Sequence, residues 1–257
     1  MGGAVRSVLR HVLPPILLDA ARWARRRVER TTRTGRATPD GDFSIPTRAL
    51  DEAFPDIPGT SVILDVATVG AHDEWQLPLK ELVAIGAICR HLRPRKILEF
   101  GTYLGSTTLV MALNTPRETE ILTLDLDPNL RPTHRHGLGV GLPEFSVGSA
   151  FRARPEESRI RQLLGDSRTF DFEPFTASVD LVFIDSDHTF EFVKRDTDSA
   201  LRILRPGGTI VWDDYRWDER HPECGGVTRC VNELSARFAV FALKDTRLAV
   251  LTTKTRS

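Results

Sequence analysis

From residue 78 onward the chain alternates short, apolar, β-favouring runs with stretches of helical spacing, and this order leaves few folds open. "LPLKELVAIGAICRHL" has a helical period, with Pro78 where a first turn tolerates it and "RP" at its close. "KILEF" is a buried-strand run, and "GTYLGSTTLVMALN" is a glycine turn that opens a helix. "ILTLD" supplies a second strand, "RIRQLLGD" holds a third and "VDLVFID" is a fourth. "FVKRDTDSALRIL" is a helix ended by "RPGG", and "GTIVWDD" is a fifth strand. The pattern predicts an α/β fold with a doubly wound, mostly parallel sheet and helices on both faces. A further helix, "GGVTRCVNELSARF", precedes two strands, "AVFAL" and "RLAVLTT", joined by a tight "KDT". A closing hairpin cannot be parallel throughout, so one strand near the C-terminus must run against the rest.

In an open parallel sheet, ligands bind beyond the carboxyl ends of the strands, near the switch in strand order. Glu99 with Gly101, Asp125, Asp166, Asp185, and Asp213 with Asp214 all fall at or just past the ends of successive predicted strands. A single such acid is as readily a helix cap or a solvated group. Five strands ending this way predict one acidic rim, suited to a ligand rich in hydroxyls and amines or to a metal.

The glycine loop narrows the ligand. A dinucleotide loop reads G-x-G-x-x-G and packs backbone amides on a pyrophosphate. Here "EFGTYLGS" carries Gly101 and Gly105 with three residues between them, and Glu99 stands ahead of both. A carboxylate beside the loop repels phosphate and suits a cationic amino-acid ligand. Asp125, 24 residues after Gly101, can accept both hydroxyls of a ribose. S-adenosylmethionine fits this description, with a positive sulfonium, a positive amino group and no phosphate. A short-chain dehydrogenase would call for Tyr-x-x-x-Lys, and neither Tyr103 nor Tyr215 has a lysine four residues on.

"ILEFGTYLGSTTLVMAL", "LTLDLDP", "LLGDS", "VDLVFIDSDHTFEFVKRDTDSALRILRPGGTIVWDDY" and "GGVTRCVNEL" together resemble the class I S-adenosylmethionine-dependent methyltransferases, a Rossmann-like family, in their O-methyltransferase branch. The resemblance spans roughly residues 78 to 252. It implies that Glu99 and the loop Gly101, Thr102, Tyr103, Gly105 and Ser106 surround the methionine part of the cofactor. It places Asp125 at the ribose, Asp166 and Ser167 by the adenine, and Asp185 near the sulfonium. Metal-dependent relatives of the catechol and macrolide-sugar types carry one carboxylate after the fourth strand and a pair after the fifth. Asp185, Asp213 and Asp214 match those places, and three oxygen ligands suit Mg²⁺. His188, three residues past Asp185, stands where a general base would. The implied activity is methyl transfer to a hydroxyl of a small molecule or a sugar or glycan. The alternatives are a metal-independent N- or carboxyl-methyltransferase and a catalytically silent, methyltransferase-like binding domain.

The remainder of the chain is read from composition. Lys plus Arg and Asp plus Glu stand at 35 each, which gives no net charge to recruit nucleic acid. Residues 1–36 nevertheless hold nine arginines against Asp19 and Glu29, interleaved with "LPPILL". This basic, amphipathic arm is expected to pack on the domain or on a second subunit of a homo-oligomer. The competing expectation is peripheral contact with an anionic membrane face. Its interrupted apolar stretch does not read as a signal peptide, and no apolar run reaches the length of a membrane span. Three scattered cysteines give no disulfide framework, so a cytoplasmic location, at most peripheral at the inner membrane face, is expected. His221, Cys224 and Cys230 lack the spacing of a zinc motif. Residues 37–77 read as a linker and N-terminal extension, and 78–257 as the methyltransferase-like domain. Within it, 129–159 is long, contains four glycines, and is expected to form a lid over the substrate.

Overall fold

The computed structural model describes residues 44–57, 59–66, 75–127, 147–215 and 224–253. The arm at 1–36, the insertion as far as residue 146, and His221 lie outside the described residues. In chain order the elements are β1 (Thr47–Arg48), α1 (Leu50–Ala53), α2 (Leu79–Leu92), β2 (Lys96–Phe100), α3 (Ser106–Leu113), β3 (Glu120–Asp125) and β4 (Ile160–Leu164). They continue with β5 (Val179–Ile184), α4 (Phe190–Ile203), β6 (Leu204–Trp212), α5 (Gly225–Ser235), β7 (Val240–Leu243) and β8 (Ala249–Thr252).

The strands form one sheet in the order β1-β7-β8-β6-β5-β2-β3-β4. Strands β6, β5, β2, β3 and β4 are mutually parallel, so their carboxyl ends share one edge. β8 alone runs against its neighbours β6 and β7, as the closing hairpin requires. The chain goes from β2 outward to β3 and β4, then returns to the other side of β2 with β5. The switch point is therefore the gap between β2 and β5.

Strand alternation assigns the two faces. Ile97, Ile121, Leu181, Phe183 and Val211 pack with Leu82, Ile85 and Ile88 of α2 and with Val110 and Met111 of α3. Leu98, Phe100, Leu122, Leu124, Val182, Ile184, Ile210 and Trp212 pack instead with Val193, Ala200 and Ile203 of α4 and with Val227 and Val231 of α5. Each Val, Leu, Ile, Phe or Met among them, fully buried, contributes about 1.5–3 kcal/mol. α2 stops at Arg93, whose left-handed backbone (φ 46°) sends its N–H back to the Cys89 carbonyl, 2.9 Å away, ahead of Pro94.

Two local features depart from the sequence reading. "RPGG" does not separate α4 from its next strand, because β6 begins at Leu204 directly after the helix and Leu204 pairs with Val179. A register irregularity follows, and Gly207, at φ 82°, absorbs it. Within 37–77, β1 pairs with β7, and Ile45, Phe54 and Leu77 are buried in the cores. These contacts tie part of the stretch to the fold, while Ile63 and Val66 stay exposed.

Candidate active site

Glu99 shares its parity with Ile97, Asp125 with Ile121 and Thr123, Asp185 with Leu181 and Phe183, and Asp213 with Val211. Side chains alternate along a strand, so all four acids fall on the α2/α3 side of the sheet, at or beyond its carboxyl edge.

Gly101 stands at the switch point. It donates its N–H to the Leu124 carbonyl at 2.8 Å, while Asp185 donates to the Phe100 carbonyl at 2.9 Å. A Cβ on Gly101 would lie 2.0 Å from the Asp185 carbonyl oxygen, and its φ of 92° also excludes most side chains. The loop that follows wraps the Asp125 carboxylate, whose Oδ2 accepts the N–H groups of Thr102 (3.2 Å) and Tyr103 (2.8 Å). Its Oδ1 accepts from Leu126 N–H at 2.7 Å. Gly105 (φ 82°) opens α3. Gly148 and Ala150, at the end of the insertion, donate N–H to the carbonyls of Tyr103 and Leu104. Ser106 donates its hydroxyl to Gln76. Glycine loop, β3 carboxylate and the described end of the insertion, from residue 147, are thus one hydrogen-bonded unit.

Glu99 is wholly buried under this loop. Its Oε2 accepts hydroxyl hydrogen bonds from Thr108 and Thr123, each at 2.5 Å, and its Oε1 has no partner. Burial pushes the carboxyl up to about 8; the two threonine hydroxyls oppose this, and the charges of Asp185 and Asp125 add to it. A buried carboxyl with one unmatched oxygen is chemically suited to an ammonium group.

Across the switch point, Asp185, Asp213 and Asp214 bring one carboxylate oxygen each to within 4.8 Å of the others. Asp214 holds a left-handed backbone (φ 60°), uncommon for a residue with a side chain and concentrated at functional sites. His188 Nε2 stands 3.1 Å from Asp214 Oδ2 and 3.9 Å from Asp185 Oδ1. Arg247 closes the other side, at 3.0 Å from Asp213 and 3.0 Å from Asp214, and its Nη2 and Nε also grip Glu81 of α2. Burial and then the charges of Asp185 and Asp214 drive Asp213 well above the usual carboxylate range, against the pull of Arg247. Burial likewise raises Asp185, with the nearby His188 opposing it and the Asp214 charge adding to it. For His188, burial lowers the pKa, but the nearby Asp185 carboxylate and the charges of Asp214 and Asp187 prevail and raise it.

The donor set fits a divalent cation. If all were ionised, Glu81, Asp185, Asp213 and Asp214 would face one guanidinium and one protonated imidazole with two negative charges uncompensated, a balance that a divalent cation would restore. Asp213 Oδ1 is buried without a hydrogen-bond partner, and all three candidate ligand atoms are hard oxygens.

Asp166 is placed differently from the other acids: its carboxylate is held by Arg168 of its own loop, with Nε 2.9 Å from both oxygens. That pairing, led by the hydrogen bond, lowers its pKa. Asp196 of α4 accepts the Ser186 hydroxyl at 2.5 Å, and burial raises its carboxyl, with Ser186 and then Ser167 opposing. The sequence reading missed Glu81, Asp196 and Arg247. Glu81 and Asp196 carried a signal, since each interrupts the apolar stripe of an amphipathic helix and is buried there. Arg247 carried none.

Residues 98–215 match a family described as "Methyltransferase domain". This stretch is a methyltransferase domain. A flavonoid 3',5'-methyltransferase of Vitis vinifera is 24% identical over 154 residues, 59% of this chain and 61% of that one. A caffeoyl-CoA O-methyltransferase of Stellaria longipes is 27% identical over 128 residues, 49% of this chain and 48% of that one. The chain thus spans about half the length of the curated relatives it matches. The methyltransferase fold is shared with the O-methyltransferase TomG of Streptomyces achromogenes, solved in complex with SAM, at a TM-score of 0.54 and 20% identity over 78% of this chain and 96% of that one.

Proposed function

We propose that the chain is an S-adenosylmethionine-dependent O-methyltransferase that acts on a hydroxyl of a small molecule or a sugar or glycan, with Mg²⁺ held by Asp185, Asp213 and Asp214. The observation that carries this reading is the carboxylate triad, with His188 on its edge, lying across the switch point from the glycine loop. The caffeoyl-CoA O-methyltransferase among its relatives supports a hydroxyl acceptor.

In methyl transfer the bond from acceptor oxygen to methyl carbon forms as the carbon–sulfur bond breaks, in line, and the hydroxyl proton must leave. Bound Mg²⁺ would supply Lewis acidity that lowers the pKa of an acceptor hydroxyl. His188, whose Nε2 lies 3.1 Å from Asp214 and 3.9 Å from Asp185, would take that proton when its imidazole is neutral. Glu99 would balance the ligand's ammonium group, Asp125 would meet the ribose while bracing the glycine loop, and Asp166 and Ser167 would lie by the adenine. Arg247 and Glu81 keep the carboxylate pair assembled.

The deciding experiment is an S-adenosylhomocysteine-release assay over flavonoids, catechols and free or glycosidic sugars, run with metal-stripped protein and after adding Mg²⁺. Turnover that needs Mg²⁺, while calorimetry shows S-adenosylmethionine binding without it, is the expected result. Full turnover in chelator would overturn the metal assignment.

A further inference from the structure

A second donor set touches the first. His188, Asp214 and Cys224 each bring a ligand atom to within 4.8 Å of the other two, so an imidazole nitrogen, a carboxylate oxygen and a sulfur converge on one point. No sequence spacing announced it, because the three come from the loops after β5 and β6 and from the start of α5. The convergence is built into the backbone. Gly226 lets α5 seat directly on the turn that carries His188, where a Cβ would stand 2.3 Å from the His188 carbonyl oxygen and 2.5 Å from the Phe190 nitrogen. Cys224, 1% exposed, occupies the N-cap of that helix, the end that favours an anionic ligand atom. His188 Nε2 is buried and makes no hydrogen bond of good geometry, although Asp214 is near.

We propose that His188, Asp214 and Cys224 bind a thiophilic divalent cation of the Zn²⁺ class, in a site that shares Asp214 with the hard-oxygen triad. Mixed nitrogen, sulfur and oxygen donors select Zn²⁺ over Mg²⁺, and three protein ligands leave a fourth tetrahedral position open. A histidine whose nitrogen ligates a metal cannot accept a proton there. Occupancy of this site therefore withdraws His188 from acid–base work and Asp214 from the triad, making the site inhibitory. The site stands on its own donors, while its inhibitory effect rests on the Mg²⁺ reading.

Co²⁺ titrated into metal-stripped, full-length protein is the probe. The expected result is a thiolate-to-Co²⁺ charge-transfer band in the near ultraviolet that Zn²⁺ abolishes. The band should be lost in Cys224→Ser and kept in the Cys89→Ser/Cys230→Ser double variant. Zn²⁺ affinity of Cys224→Ser should fall by at least the roughly 10- to 100-fold that loss of even an outer-shell partner costs. Absence of the band in wild type, or its survival in folded Cys224→Ser, overturns the proposal. If Cys224→Ser does not fold, zinc-edge X-ray absorption on the Cys89→Ser/Cys230→Ser protein decides: one sulfur at about 2.3 Å supports the site, and only nitrogen and oxygen neighbours sink it. A Mg²⁺ requirement that fails while the thiolate band persists would count against the Mg²⁺ reading alone.

Discussion

At the scale of single residues, Glu99 gives a prediction whose sign follows from its environment. Its folded pKa, about 8, lies above the ordinary 4.5, so between these values the folded protein keeps a proton that the unfolded chain has released. Stability is therefore fully present below about 4.5, falls as pH rises towards 8, and is level beyond. The shift bounds the loss at roughly 5 kcal/mol. Glu99→Gln, whose amide oxygen can still accept from Thr108 and Thr123, should remove this slope. Thermal melts of cofactor-free protein should show the variant more stable than wild type at pH 8 and level with it near pH 4.5. The same variant should bind S-adenosylmethionine more weakly, and wild type should release a proton on binding at pH 7, seen by calorimetry in buffers of different ionisation enthalpy. Asp125→Ala should cost about 2–4 kcal/mol of cofactor binding if the ribose lies there, through unpaired polar groups. It also removes the acceptor for the Thr102 and Tyr103 N–H groups, so its melting point should fall as well.

Elements show what a sequence can disclose. The central strands were legible because continuous apolar runs admit little else at that length, and the acids at their ends were legible because they break those runs. β1 was not, since two residues, Thr47 and Arg48, carry no period, and only pairing with β7 makes them a strand. The Glu81–Arg247 pair was hidden for a related reason: the partners lie 166 residues apart and meet only once α2 and the β7–β8 turn flank the same strand end. Cys224 has no local motif, and Gly226 reads as an ordinary helix-opening glycine until the helix is set against the His188 turn. Close approach of elements is thus the part that single-sequence periodicity omits. It is testable at Gly101, where an added Cβ meets backbone and nothing flexible can yield. Gly101→Ala should separate β2 from β5, lower the melting point by several degrees, on the scale of about 2–4 °C per kcal/mol for a chain of this size, and abolish cofactor binding. Gly207→Ala, with open space around its Cβ and only the φ penalty to bear, should cost less and leave binding intact.

For the whole molecule, the carboxylate cluster is a store of repulsion that a divalent cation would relieve. Asp185 and Asp213 are both raised, first by burial and then through neighbouring carboxylates, so ionising them without a cation works against the fold. Asp185 does not contact Arg247 directly, whereas Asp213 and Asp214 do, so its removal relieves repulsion without orphaning the guanidinium. Asp185→Asn should therefore melt higher than wild type when both are metal-free near neutral pH. Added Mg²⁺ should reverse the order. Ligand at 100 times its dissociation constant stabilises by about 2.7 kcal/mol, which for this size is roughly 5–10 °C. Wild type should gain that much and Asp185→Asn little, as read by scanning fluorimetry with and without chelator. Because this crossing of two melting curves needs no acceptor, it can be measured before the substrate is known. Helix caps and solvated acids would give one constant offset between the two proteins, so parallel curves would remove the cation from the site.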